Sequence, residues 1–166
     1  PLWLVGFDLE EYGLAGSAAL AADLHRQRQP LRLMISLEML GYRSQEPYSQ
    51  QYPPGLNYFY PSQGDFIALI GSWQLIPQLV GLRRSLRTSG VPCEWLPVVN
   101  GGKAVPDTRR SDHAPFWDRG YRAVLVTDTA NLRNPHYHQP SDRVSTLDFS
   151  FLTGVCMGLM QGISQL

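Results

Sequence analysis

Glu10 and Glu11 stand side by side where an apolar run, Leu2-Trp3-Leu4-Val5-Gly6-Phe7, gives way to the turn Tyr12-Gly13-Leu14-Ala15-Gly16. Adjacent carboxylates at the end of a buried strand can divide labour, one binding a metal while the other takes a proton from water. Open α/β sheets place their sites at such strand ends. An isolated acidic pair is far more often a solvated turn, so Glu10 and Glu11 gain meaning only from company. Three stretches offer it. Glu38 closes Met34-Ile35-Ser36-Leu37, Asp112 adjoins His113, and Tyr137 adjoins His138. Each has a bland reading of its own. A glutamate can merely cap a strand, neighbouring Asp and His seldom hydrogen-bond as a catalytic dyad, and a histidine in a polar loop is usually just solvated.

The elements that must position these residues follow from periodicity. Short apolar runs alternate with helical patterns, which predicts a layered α/β/α fold around a mostly parallel mixed sheet. Strands are expected at Leu2–Phe7, Leu31–Leu37, Asp65–Ile70, Cys93–Val98 and Tyr121–Thr127. Ser17 reads as the N-cap of an Ala/Leu-rich helix ending near Gln29-Pro30. Further helices are expected from about Trp73 to Thr88, from Ala114 to Asp118, and from about Thr146 to Gln165. Between Gly41 and Gly64 runs a long loop whose Tyr42, Tyr48, Tyr52, Tyr58, Phe59 and Tyr60 argue against disorder.

Four segments, in order, resemble metallopeptidase family 28, the co-catalytic zinc aminopeptidases. Phe7-Asp8-Leu9-Glu10-Glu11-Tyr12-Gly13-Leu14-Ala15-Gly16-Ser17 resembles the family's strand ending in two glutamates followed by Gly-Leu-x-Gly-Ser. Met34 to Tyr42 resembles the strand that ends in an acidic zinc ligand, usually Asp, with Glu38 in its place. Arg110-Ser111-Asp112-His113-Ala114-Pro115-Phe116 resembles the Ser-Asp-His-x-x-Phe segment, and Tyr137-His138 with Asp142 the closing Tyr-His-x-x-x-Asp segment. The resemblance covers nearly the whole chain, and it implies a zinc-exopeptidase-like fold and roles for individual residues. Glu10 would be the general base toward a metal-activated water, and Tyr137 the hydroxyl donor to the oxyanion. Glu11 and His138 would share one zinc, and Glu38 would serve the other. Asp112 and His113 would shape the site or pack near it. The cofactor implied is Zn, two ions in the complete site, and the substrate a peptide cleaved at its N-terminal bond.

The same resemblance implies that ligands are missing. The family's first zinc histidine and bridging aspartate lie upstream of the Glu-Glu strand, and this sequence opens on Pro1 with an apolar run. The expectation is therefore a single partial catalytic domain over 1–166, its N-terminal part of the fold absent, with fewer zinc ions or none. Lost neighbours would bare a sheet edge and favour self-association. Two alternatives stay open: a glutaminyl-peptide cyclase-like acyltransferase using one zinc at Glu38, Glu11 and His138, and a non-catalytic peptidase-like domain.

Composition narrows the field. The 166 residues include 43% hydrophobic and 17% charged, with 14 basic against 14 acidic side chains. A balanced charge disfavours nucleic-acid binding. No stretch reaches the roughly 20 apolar residues of a membrane span. Cys93 and Cys156 have neither metal-ligand nor disulfide-framework spacing, and two buried reduced thiols are expected. Many members of the resembling family are exported, which leaves an extracytoplasmic setting open for the longer protein.

Overall fold

The computed structural model describes residues 1–166. Its centre is the strand that alternation alone would not reveal: Ala-Val-Leu-Val-Thr, apolar on both faces. This strand, β4 (Ala123–Thr127), is buried at every residue because both faces of the sheet are covered there. It runs parallel to β1 (Met34–Glu38), with Glu38 level with Thr127. On its other side it meets β2 (Ile67–Ser72) antiparallel, and β2 pairs in parallel with β3 (Cys93–Val98). The order β1-β4-β2-β3 thus has two parallel pairs and one antiparallel pair, as a mostly parallel mixed sheet requires.

Helices cover both faces. On one side α2 (Ile76–Thr88) and α4 (Phe149–Ile163) close the larger core, where Leu79, Leu82 and Leu86 meet Ile67, Leu69, Val124 and Val126. The two helices approach at backbone distance because Gly154, Gly158 and Gly162 recur every fourth residue on α4. A Cβ on Gly158 would lie 2.7 Å from the Leu86 Cα. On the other side α1 (Ala15–Arg26) and α3 (His113–Asp118) enclose a smaller core of Ala21, Leu24, Phe116 and Trp117. The α4 helix starts at Phe149 because the Asp148 side chain accepts the Phe151 N–H at 2.9 Å, the usual N-cap bond.

Several expectations need correction. Leu2–Phe7 is not a strand: no backbone group of residues 1–7 bonds to another backbone group, and Leu2, Trp3, Leu4 and Val5 are exposed. A strand needs a ladder partner, and none lies beside this segment; only Phe7 is anchored, its ring 6.2 Å from that of Phe116. Ser17 is not the N-cap of α1. Leu14, in the left-handed region at φ 61, takes that position, and buried Ser17 donates its hydroxyl back to the Leu14 carbonyl at 3.0 Å. The helix stops at Arg26, short of Gln29. Of the two free thiols, Cys93 is buried but Cys156 is exposed, on the outer side of α4.

The sheet's two edges are treated differently. At β3, Tyr60 donates its hydroxyl to the Trp95 carbonyl (2.9 Å) and Arg83 donates to the Cys93 carbonyl (3.0 Å), occupying acceptors that another strand could use. At β1 no such cover exists, and Leu37 is exposed.

Candidate active site

Glu11 and His138 come from opposite ends of the chain and meet: His138 Nε2 lies 3.0 Å from Glu11 Oε1, both side chains more than half exposed. Beside them is Glu10, whose carboxyl is raised above its ordinary range, first by desolvation and then by the charges of Glu38, Glu11 and Asp112, with His138 opposing. Glu38 ends β1 at the carboxyl edge of its parallel pair, where the turn geometry of Met39 (φ 50) takes the backbone away from the sheet. Burial raises its carboxyl too, against a hydrogen bond from Ser111, Oγ to Oε2 at 3.2 Å. Ser111 in turn shares a 2.9 Å bond with Ser36, so two buried hydroxyls hold the Glu38 carboxylate in place. Tyr137 stacks on His138 with ring centroids 4.0 Å apart, its phenol pushed up chiefly by desolvation.

Three of the four predicted segments therefore deliver their chemical groups to one place, and the fourth is split. Asp112 faces the carboxylates and contributes to their mutual repulsion. His113 turns into the core, fully buried, with Nε2 2.8 Å from the Thr108 carbonyl and its ring edge-on to Trp117 at 4.3 Å. It is a packing residue.

Beside the site a cavity of about 100 Å³, open to solvent, is lined by residues of the sheet and of the aromatic loop. Glu38 and Tyr137 stand at its rim, and Tyr52, Tyr60, Trp95 and Leu56 are among its apolar walls. Tyr52 and Tyr60 stack with centroids 6.0 Å apart. The loop that carries them is fastened by residues the sequence reading missed. Buried Asp128 accepts the Tyr42 N–H (2.8 Å) and the Ala130 N–H (3.0 Å), joining the segment after Glu38 to the one that leads to Tyr137. Buried Arg133 donates to Gln50 Oε1 (2.9 Å) and to the Phe66 carbonyl (2.8 Å). Gly64 passes so close to Arg133 that a Cβ there would sit 2.7 Å from Nε. One signal was available: Asp128 directly follows a strand, the position that made Glu38 a candidate.

The donor set tests the fit to zinc. Glu11 and His138 offer a carboxylate oxygen and an imidazole nitrogen to one point, and both are zinc ligand types. No group of three or more His, Cys, Asp or Glu side chains is placed to hold a metal ion. Zinc takes three or four protein ligands, so these residues fit part of a site and do not complete one.

The sequence model of peptidase family M28 matches residues 1–68, the stretch that holds Glu10, Glu11 and Glu38, in agreement with the resemblance read from those two motifs. Among curated proteins, the uncharacterized protein YfbL of Escherichia coli strain K12 is 38% identical over 146 residues, covering 87% of this chain and 44% of YfbL. The chain thus spans less than half the length of that relative. Among solved structures, LapA of Legionella pneumophila superposes with a TM-score of 0.66 at 20% identity, over 96% of this chain and 38% of LapA. The aminopeptidase of Aneurinibacillus sp. strain AM-1 gives a TM-score of 0.62 at 24% identity, over 96% of this chain and 32% of the enzyme. These likenesses establish the fold.

Proposed function

We propose that the chain is part of the catalytic domain of a zinc-dependent aminopeptidase that hydrolyses the N-terminal peptide bond of its substrate. The observation that carries this reading is the meeting of Glu11 and His138 at 3.0 Å beside Glu10, from segments far apart in sequence. Glu11 and His138 would hold one zinc and Glu38 would serve a second, the remaining ligands coming from outside these 166 residues. Zinc, when bound, polarises a scissile carbonyl and acidifies water.

This chain's own residues supply the rest. Glu10 takes the proton of the attacking water and passes it to the leaving amine, a task suited to a carboxyl raised by burial and like charge. Tyr137 donates its hydroxyl to the developing oxyanion. Ser111 keeps Glu38 from turning away. The apolar cavity beside Tyr137 receives the side chain of the N-terminal residue.

The test is Glu10→Gln in the full-length protein, assayed on peptides with a free amino terminus. Removing the base should lower kcat by a factor of about 100 to 10,000, with zinc content by elemental analysis unchanged. Turnover retained in that variant would sink the base assignment, and absence of zinc from the active protein would sink the metal reading.

A further inference from the structure

Arg110 stands at the rim of the cavity next to Tyr137, and neither the base, the ligands nor the oxyanion donor accounts for it. Its guanidinium carbon lies 6.0 Å from the Tyr137 ring centroid, over the ring. Nη1 donates to Asn131 Oδ1 at 3.1 Å, tethering the head group to the same loop that carries Tyr137. Its nearest carboxylate, Asp107, is 3.9 Å away, a contact too long to be a firm hydrogen bond. The Tyr137 ring is thus flanked by the Arg110 guanidinium and, at 4.0 Å, by the His138 imidazole.

We propose that Arg110 is a positioning residue for Tyr137, its tethered guanidinium fixing the plane of the phenol ring so that the hydroxyl is held at the site. A planar cation over a π face attracts the ring and limits its rotation, which a lysine ammonium does less well. The backbone adds a second link. Arg110 is directly followed by Ser111, which bonds Glu38. One dipeptide therefore touches both the phenol and a carboxylate of the candidate site.

This role rests on the reading of Tyr137 as oxyanion donor, so the experiment separates the two. A double-mutant cycle in the full-length protein compares Arg110→Ala, Tyr137→Phe and the double variant. Arg110→Ala should lower kcat about two- to fivefold, the scale of an exposed cation–π contact, with KM little changed. Arg110→Lys should recover part of the loss. In the Tyr137→Phe background, Arg110→Ala should have no further effect on kcat. Spectra with carbon-13 tyrosine, in which the Tyr137 signal is the one lost in Tyr137→Phe, should show that signal displaced by Arg110→Ala. Additive losses in the cycle, or an unmoved ring signal, would overturn the proposal. A wild-type kcat for Tyr137→Phe would overturn the oxyanion reading instead, while the ring signal still decides whether Arg110 orients the phenol.

Discussion

A histidine keeps its proton only if water, a carboxylate or a carbonyl stabilises the charge, and His113 has little of this. Burial pulls its imidazole down to about 4 from 6.5, the carbonyl of Thr108 only partly compensating. Above the ordinary imidazole value the folded and unfolded states are both neutral, and the packing contribution of His113 is fully present. As pH falls from 6.5 toward 4 the unfolded chain takes up a proton that the folded chain refuses, so this contribution is lost. Asp128 works against it: burial raises its carboxyl to about 6, so its contribution is present at low pH and lost as pH rises through that value. Nitrogen-15 spectra of the imidazole should show His113 neutral down to about pH 5; a midpoint near 6.5 would mean that the ring is not enclosed as described. At this scale the sequence was eloquent about types and silent about direction. Asp112 and His113 are neighbours with the same motif warrant, yet one faces the carboxylates and the other the core. Only the turn into α3 decides which, and that is set by contacts with Trp117 and Thr108 rather than by spacing.

Elements were legible where a pattern has a local cause. The β3 strand and the α2 helix lie within a few residues of their expected bounds, because alternation and a closing Ser89-Gly90 specify them locally. Leu2–Phe7 was misread because an apolar run records only that a segment prefers burial. Whether it becomes a strand depends on a neighbour, and sequence pattern carries no information about neighbours. The glycines of α4 carry a similar lesson. They look like helix weaknesses, yet Gly158 is where α2 and α4 touch. Gly158→Ala should therefore destabilise by about 1–3 kcal/mol through overpacking, despite alanine's better helix propensity. Gly81 in α2 has open space around its missing Cβ, so Gly81→Ala should stabilise by up to about 1 kcal/mol. Thermal denaturation of the two variants checks the contrast; equal shifts of the same sign would refute the packing account.

At the scale of the whole molecule, cover is uneven. The β3 edge is capped by Tyr60 and Arg83, whereas β1 ends the sheet with Leu37 exposed and the apolar stretch Leu2 to Val5 unburied. Such a surface invites strand addition or apolar association. The 166-residue chain should accordingly self-associate with rising concentration, and sedimentation velocity would read this as a growing fraction above monomer mass. A monomer at all concentrations would show that the uncovered edge is tolerated. The site itself lies among residues held in an unfavourable backbone region: Leu9 before Glu10, Met39 after Glu38, Thr129 and Ala130 on the way to Tyr137, and His138 itself all have positive φ. Left to local preference, none of these side-chain residues would choose it. At Met39 the conformation sits where the parallel β1–β4 register ends and Asp128 accepts the Tyr42 N–H, contacts between segments distant in sequence. In time rather than space, contacts between segments far apart in the chain form more slowly than local ones, so the groups of the candidate site are expected to settle after the helices and to loosen before them.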